Sequence, residues 1–351
     1  MPEGTAHSTG AATDGPSTGT ATRATTTTTP TAGGTAEATA AAPRARLAGR
    51  RATVDAVLRN SPLQPLFRLA AARRLAVLAY HGVDDPRVFA LQMERLVRRA
   101  RPVSLAAVEQ AVQSGRPLPR RSVLVTFDDG DRTVLTEGLP VLTRLGIPAA
   151  AFVVTDLIGG DQPFWWSEAA FLAAHGGTAR TLAGCPPNGV VRRLKTLADL
   201  DRRTALAELR ESAAVRAPRQ EQLTPDGLRA LAGAGVAVGN HTAGHPCLDH
   251  CEDDTVRAEI TGAHQALTGW LGQAPTAFAY PNGNLDPRAE AELRRLGYRV
   301  GFLFDHRHDR LLPPHPLRIS RLRVNSTTGR DRFDTILSGL HPAVHHLRGG
   351  A

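Results

Sequence analysis

The chain has 351 residues, 42% of them hydrophobic and 21% charged, so it carries the apolar material for a globular core and is neither a fibre nor a wholly disordered polymer. Lys and Arg number 42 against 33 Asp and Glu, a formal net charge of +9. That charge invites a nucleic-acid reading, but Lys195 is the only lysine and the arginines are scattered, with no run beyond a pair such as Arg98-Arg99. Three cysteines, Cys185, Cys247 and Cys251, exclude an even disulfide framework, and no stretch approaches the eighteen apolar residues of a membrane span.

Residues 1–45 read as a disordered tail of Thr, Ala, Gly, Ser and Pro, with no Leu, Ile, Val or aromatic residue before Leu47. In the lead-in over 46–74, Val54, Val57, Leu58, Leu63, Leu66, Leu69 and Ala70 predict one or two short amphipathic helices, interrupted at Pro62 and Pro65. From Leu75 onward strand and helix alternate. Strands are expected over Leu75–Tyr80, Pro102–Val103, Ser122–Phe127, Ala149–Thr155, Val236–Asn240, Thr276–Tyr280, Tyr298–Phe304 and Leu317–Val324. Helices are expected over Phe89–Arg99, Leu105–Val112 behind an N-capping Ser104, Val134–Leu145, Pro225–Ala234 behind Thr224, Asp254–Leu271 and Pro287–Leu296. Residues 160–220 are less regular, with two arginine-studded helical stretches, and 326–351 form a C-terminal extension.

Repeated β-then-α units imply an α/β protein with a parallel sheet, and six or seven units in about 250 residues suit a barrel. Chemistry then belongs at the C-terminal strand ends. Three polar clusters lie there. Asp128-Asp129-Gly130 ends one strand, and alternation sends its two carboxylates in different directions; taken alone it is ordinary turn chemistry. His241 and His245 flank another strand end, with Pro246 favouring a loop; alone they are two loop histidines. With Asp129 they make a two-histidine, one-carboxylate set suited to a hydrolytic zinc site. The third cluster, Tyr280-Pro281-Asn282-Gly283, is a turn signal in itself.

In this order, Thr-Phe-Asp-Asp-Gly, His-Thr-x-x-His-Pro and Tyr-Pro-x-Gly resemble the polysaccharide deacetylase family, the carbohydrate esterases with a NodB-homology domain. Tyr80-His81-Gly82-Val83, Phe152-Val153-Val154-Thr155 and Phe164-Trp165-Trp166-Ser167-Glu168 agree, in the style of the bacterial poly-N-acetylglucosamine deacetylase branch. The resemblance implies a distorted (β/α)7-type barrel over 75–325. It implies a divalent metal, zinc first and cobalt, nickel or manganese behind it, on Asp129, His241 and His245. Asp128 becomes the general base towards the attacking water, and a backbone N–H of the Tyr280–Gly283 turn, that of Asn282, an oxyanion donor. The arginine many members carry two residues before the third-motif proline is Ala279 here; Arg318 or Arg321 is expected to take its role, and His81 that of the general acid. For His81 packing at a strand end is the equal alternative. Trp165 and Trp166, with Trp166 the candidate for substrate contact, either line a sugar groove or belong to the core. Cys247 and Cys251 lack partners for a structural zinc site.

The implied function is metal-dependent N-deacetylation of an N-acetylated sugar, with a carbohydrate partner and no nucleic acid. An amidohydrolase acting on a non-sugar N-acyl metabolite and an inactive carbohydrate-binding relative are the alternatives. No apolar leader is visible, which reads as cytoplasmic, whereas the family works mostly on exported glycans.

Overall fold

A computed structural model describes residues 54–347; the expected tail over 1–45 lies outside the described residues. Nine strands form one sheet: β1 (Arg74–Tyr80), β2 (Arg101–Pro102), β3 (Ser122–Phe127), β4 (Ala149–Val153), β5 (Val236–Asn240), β6 (Ala277–Ala279), β7 (Val300–Phe302), β8 (Asp309–Arg310) and β9 (Leu322–Arg323). The order is β7-β6-β5-β4-β3-β1-β8, with β2 beside β3 and β9 beside β1. All pairings are parallel except β1 with β8.

The helices are α1 (Gln64–Ala71), α2 (Pro86–Arg99), α3 (Leu105–Ser114), α4 (Leu139–Leu145), α5 (Trp165–Ala174), α6 (Val190–Leu194), α7 (Asp199–Ser212), α8 (Pro225–Gly233), α9 (Asp253–Leu271), α10 (Pro287–Arg295), α11 (Arg330–Leu337) and α12 (Leu340–Leu347). Ser104 and Thr224 cap α3 and α8 through side-chain oxygens that accept from Ala107 N and Gly227 N. Pro65 sits in the first turn of α1, where its missing N–H costs nothing, so the helix starts at the expected interruption, after the non-helical residues 60–63. The Val134–Leu145 stretch opens with a π-helical turn over Val134–Gly138 before α4. None of the described helices is long and apolar enough to cross a membrane.

Strand alternation sorts the core into two layers. Leu78, Tyr80, Val125, Phe127, Ala151 and Val153 face one way, and Leu75, Val77, Leu124, Ala150, Phe152 and Phe302 the other. Although β4 and β7 are three places apart in the sheet, the rings of Phe152 and Phe302 lie 5.3 Å apart, so the sheet curls on itself. The expected last strand over Leu317–Val324 is not continuous. Leu317 falls in a 3-10 turn, Ile319 bridges to Phe302 of β7, and only Leu322–Arg323 pairs with β1. This segment thereby spans the gap between the first and last parallel strands and closes the distorted barrel. The helices over 326–351 belong to the core, with Phe333 and Ile336 of α11 fully buried in the layer that holds Leu78 and Val125.

Candidate active site

Register positions the site. Tyr80 pairs with Phe127, Phe127 with Ala151, Val153 with Asn240 and Asn240 with Phe278. The residues that follow these strand ends, His81, Asp128-Asp129, His241 and Tyr280, therefore emerge on one rim. There they line a cavity of about 320 Å³ together with His245, Trp166, Asn282, Gly283 and Arg321. Pro281 is buried in the turn and is not part of the cavity wall.

Asp129, His241 and His245 are all buried and bring one ligand atom each within 4.8 Å of one another. Asp129 Oδ1 lies 3.4 Å from His241 Nε2 and 3.7 Å from His245 Nε2, and it has no hydrogen-bond partner. Burial opposes the charged form of Asp129, but the two histidines and His81 outweigh it and hold the carboxyl far below the usual range. His241 Nδ1 is 2.7 Å from the Ala279 carbonyl, a contact that assigns a proton to Nδ1 and turns Nε2 towards Asp129. Burial opposes a charge on His241, but Asp128 and Asp129 outweigh it and raise its pKa. His245 is pushed down to about 3 by burial and by His241. An orphaned buried carboxylate oxygen and two buried imidazoles, one of them oriented by the backbone, fit a divalent metal.

The ligand loop is held in sparsely populated backbone. Asp129, Thr242, His245 and Asn282 all have positive φ, of 75°, 69°, 56° and 57°. Thr242 N donates to Asn240 Oδ1 at 2.7 Å, His245 N to Thr242 Oγ1 at 3.0 Å, Gly244 N to Glu259 at 2.7 Å, and Trp165 Nε1 to the His245 carbonyl at 3.0 Å. The two tryptophans thus divide between the two readings. Trp165 is buried beneath the loop, whereas half-buried Trp166 stacks on Phe164 and places its ring 4.4 Å from that of His245 in the cavity wall.

Of the two candidate arginines, the fold selects one. Arg321 is fully buried and grips Asp128 with both terminal nitrogens, at 2.6 and 2.8 Å, while its Nε donates to the Leu303 carbonyl at 2.7 Å. Arg318 instead pairs with Glu290 at 2.7 Å, outside the cavity. Burial raises the Asp128 pKa, but Arg321 and His241 overcome it and the carboxyl stays below its ordinary range. The residue at the position of the missing arginine, Ala279, contributes its carbonyl to His241 instead. His81 is exposed at the rim, in an edge-on contact with Phe304 at 5.5 Å between ring centroids. Tyr280 is buried among Phe278 and Tyr298, its hydroxyl has no partner among the described residues, and it lines the cavity. Asn282 is tied by its Nδ2 to Cys247 Sγ at 3.2 Å. Cys247 and Cys251 are free thiols, and burial pushes them up to about 11 and about 12.

Sequence reasoning missed Lys195, Cys247, Asn284, Phe304 and Arg323 as cavity residues. Only Lys195 carried a signal, its uniqueness among the basic residues.

A family model described as polysaccharide deacetylase matches residues 115–301, more than half of the chain. The chain is 42% identical over 48 residues to the poly-beta-1,6-N-acetyl-D-glucosamine N-deacetylase of Escherichia coli K12, covering 14% of this chain and 7% of that protein. It is 43% identical over 44 residues to the enzyme of the same name from Staphylococcus epidermidis, covering 12% and 15%. These matches span only a small part of the curated relatives' length. In fold it is similar to the Streptococcus pyogenes deacetylase PplD (17% identity, TM-score 0.53, 75% of this chain and 98% of that one). It is likewise similar to IcaB from Ammonifex degensii (21% identity, TM-score 0.53, 76% and 96%). With the curled sheet and the rim cavity described above, the family match leads to one assignment: the chain belongs to the polysaccharide deacetylase family.

Proposed function

We propose that this protein is a metal-dependent hydrolase that removes N-acetyl groups from an N-acetylated sugar, in a polysaccharide or glycoconjugate, releasing acetate. The observation that carries this reading is the convergence of Asp129, His241 and His245 beside an Asp128 gripped by Arg321, in one cavity at the strand rim.

Asp129, His241 and His245 are the residues that would hold the metal, zinc first. Bound there, a divalent cation supplies Lewis-acid polarisation of the acetamide carbonyl and a lowered pKa for the attacking water. Asp128 accepts the proton of that water, and the two-point grip of Arg321 fixes the carboxylate's orientation and keeps it ionised. The backbone N–H of Asn282, on a turn with positive φ, donates to the developing oxyanion. His81 at the rim returns a proton to the leaving amine as the carbon–nitrogen bond breaks, so the products are acetate and a free amino sugar.

The test is acetate release by zinc-loaded protein from N-acetylglucosamine oligomers, with N-acyl amino acids alongside and Asp128→Asn as control. Acetate from the oligomers, lost in the variant, supports the proposal. Release from the N-acyl amino acids alone moves the reading to a non-sugar amidohydrolase. Oligomer binding without any release points to an inactive carbohydrate-binding relative.

A further inference from the structure

Lys195, the only lysine of the chain, directly follows α6 and is half-buried. It lines the cavity that holds Asp129, His241 and His245, yet among the described residues it makes no ion pair and no side-chain hydrogen bond. Burial lowers its pKa, against the opposing pull of Cys247 and Asp129 and with a smaller push from Arg323. Arg323 lines the same cavity; its guanidinium lies 4.8 Å over the Phe304 ring and donates to the Phe304 carbonyl at 3.2 and 3.3 Å, with no carboxylate partner among the described residues.

Most of the acids around them are engaged. Asp128 is chelated by Arg321, and Asp129, which attracts Lys195 through space without pairing with it, is turned towards the histidines. Asp249 accepts from Asn284 at 3.0 Å, Asp305 accepts from Ser320 Oγ at 2.8 Å, and Asp199 pairs with Arg202 and Arg203. Half-buried Lys195 bears a desolvation cost with no ion-pair partner among the described residues, and exposed Arg323 adds a second positive charge to the same wall, so a ligand of opposite charge would relieve that cost.

We infer that the substrate carries an anionic group, a carboxylate or a phosphate, close to its N-acetyl group, and that Lys195 and Arg323 form the subsite for it. This inference rests on reading the cavity as a deacetylase site. The same field disfavours the free amine of the product, so a chain already stripped of acetyl groups binds less well than one that keeps its anions.

The experiment measures binding by calorimetry and acetate release in parallel. The probes are N-acetylglucosamine, N-acetylglucosamine 6-phosphate and N-acetylmuramic acid, the last supplying a carboxylate. The proteins are wild type, Lys195→Gln, Lys195→Arg and Arg323→Gln, with melting midpoints confirming that each is folded. Wild type is expected to prefer at least one charged sugar over the neutral one by about tenfold or more, which of the two revealing whether phosphate or carboxylate is recognised. Lys195→Gln and Arg323→Gln should each cut that preference severalfold, Lys195→Arg should keep most of it, and added salt should weaken it. Equal binding of neutral and charged sugars, or a preference that survives both Gln variants, overturns the subsite. Acetate released equally from all three sugars also overturns it while leaving deacetylation standing. A charge preference in binding with no acetate from these sugars or from the N-acetylglucosamine oligomers supports the subsite and overturns the deacetylase reading instead.

Discussion

The two ends of the barrel carry cavities of similar size and opposite character. At the N-terminal end of β1 and β3, a pocket of about 270 Å³ is lined by Arg68, Arg74, Arg98, Arg99 and Arg121. Its one carboxylate, Asp334, is saturated by Arg95, Arg59 and Arg99. At the C-terminal end, about 320 Å³ encloses buried carboxylates and histidines that converge on an orphaned oxygen. Three non-glycine residues of its lining, Asp129, His245 and Asn282, sit at positive φ, against Arg121 alone in the other pocket. Volume does not separate the two ends. Backbone strain, which costs on the order of 1–3 kcal/mol per residue, and buried ligand atoms left without protein partners do.

The largest effect should come from the base. Asp128→Asn is expected to lower kcat/KM for acetate release by about a thousandfold, compared on folded protein because the change also leaves buried Arg321 without its carboxylate; retention of even a tenth of the activity would remove Asp128 from that role. Arg321→Met should next lower both turnover and stability. It leaves the Asp128 carboxylate buried and unpaired, a loss of about 3–5 kcal/mol readable by urea unfolding.

Gly283→Ala sharpens the contrast at the level of backbone. Its Cβ would meet Phe304 at 2.3 Å with φ at +79°, so a loss of about 2 kcal/mol is expected. Gly115→Ala, at φ +66° with open space around it, should cost only about 1 kcal/mol by the same urea measurement.

The C-terminal helices add a pH dependence. Burial, with neighbouring cations, pushes His306 down to about 3 and His308 and His341 down to about 4. The unfolded chain binds these protons near pH 6.5 and the folded chain only much lower. Stability from these groups is therefore present above about pH 6.5 and lost as the pH falls towards 4. The melting midpoint should drop between pH 7 and pH 5, and less so in His306→Asn; a flat profile contradicts the buried neutral assignment. The smallest effect belongs to the other rim. Arg98→Gln with Arg121→Gln should change acetate release by less than about twofold, since surface changes away from the chemistry are close to neutral.

The convergence of Asp128, Asp129, His241 and His245 was legible because they lie in short contiguous strings at the ends of apolar strands, and parallel register then brings those ends to one rim. Arg321 was legible only as one of two candidates. Nothing local separates it from Arg318, and the choice depends on the closing segment, which bridges β7 at Ile319 and β1 at Leu322. The same bridging explains why the expected strand over Leu317–Val324 shortens, since the segment pairs with two partners in turn. Lys195, Phe304 and Arg323 reach the cavity from irregular stretches or a two-residue strand, where periodicity carries no signal. The α11 helix escaped because its burial rests on few apolar residues, among them Phe333 and Ile336 three apart.

If Asp129, His241 and His245 form one metal site, divalent metal content by elemental mass spectrometry should differ between zinc-loaded wild type and His245→Ala at matched melting midpoint. About one metal per chain in wild type, lost in the variant, is the predicted result. No bound metal in wild type after loading, or equal metal in both proteins, would contradict it.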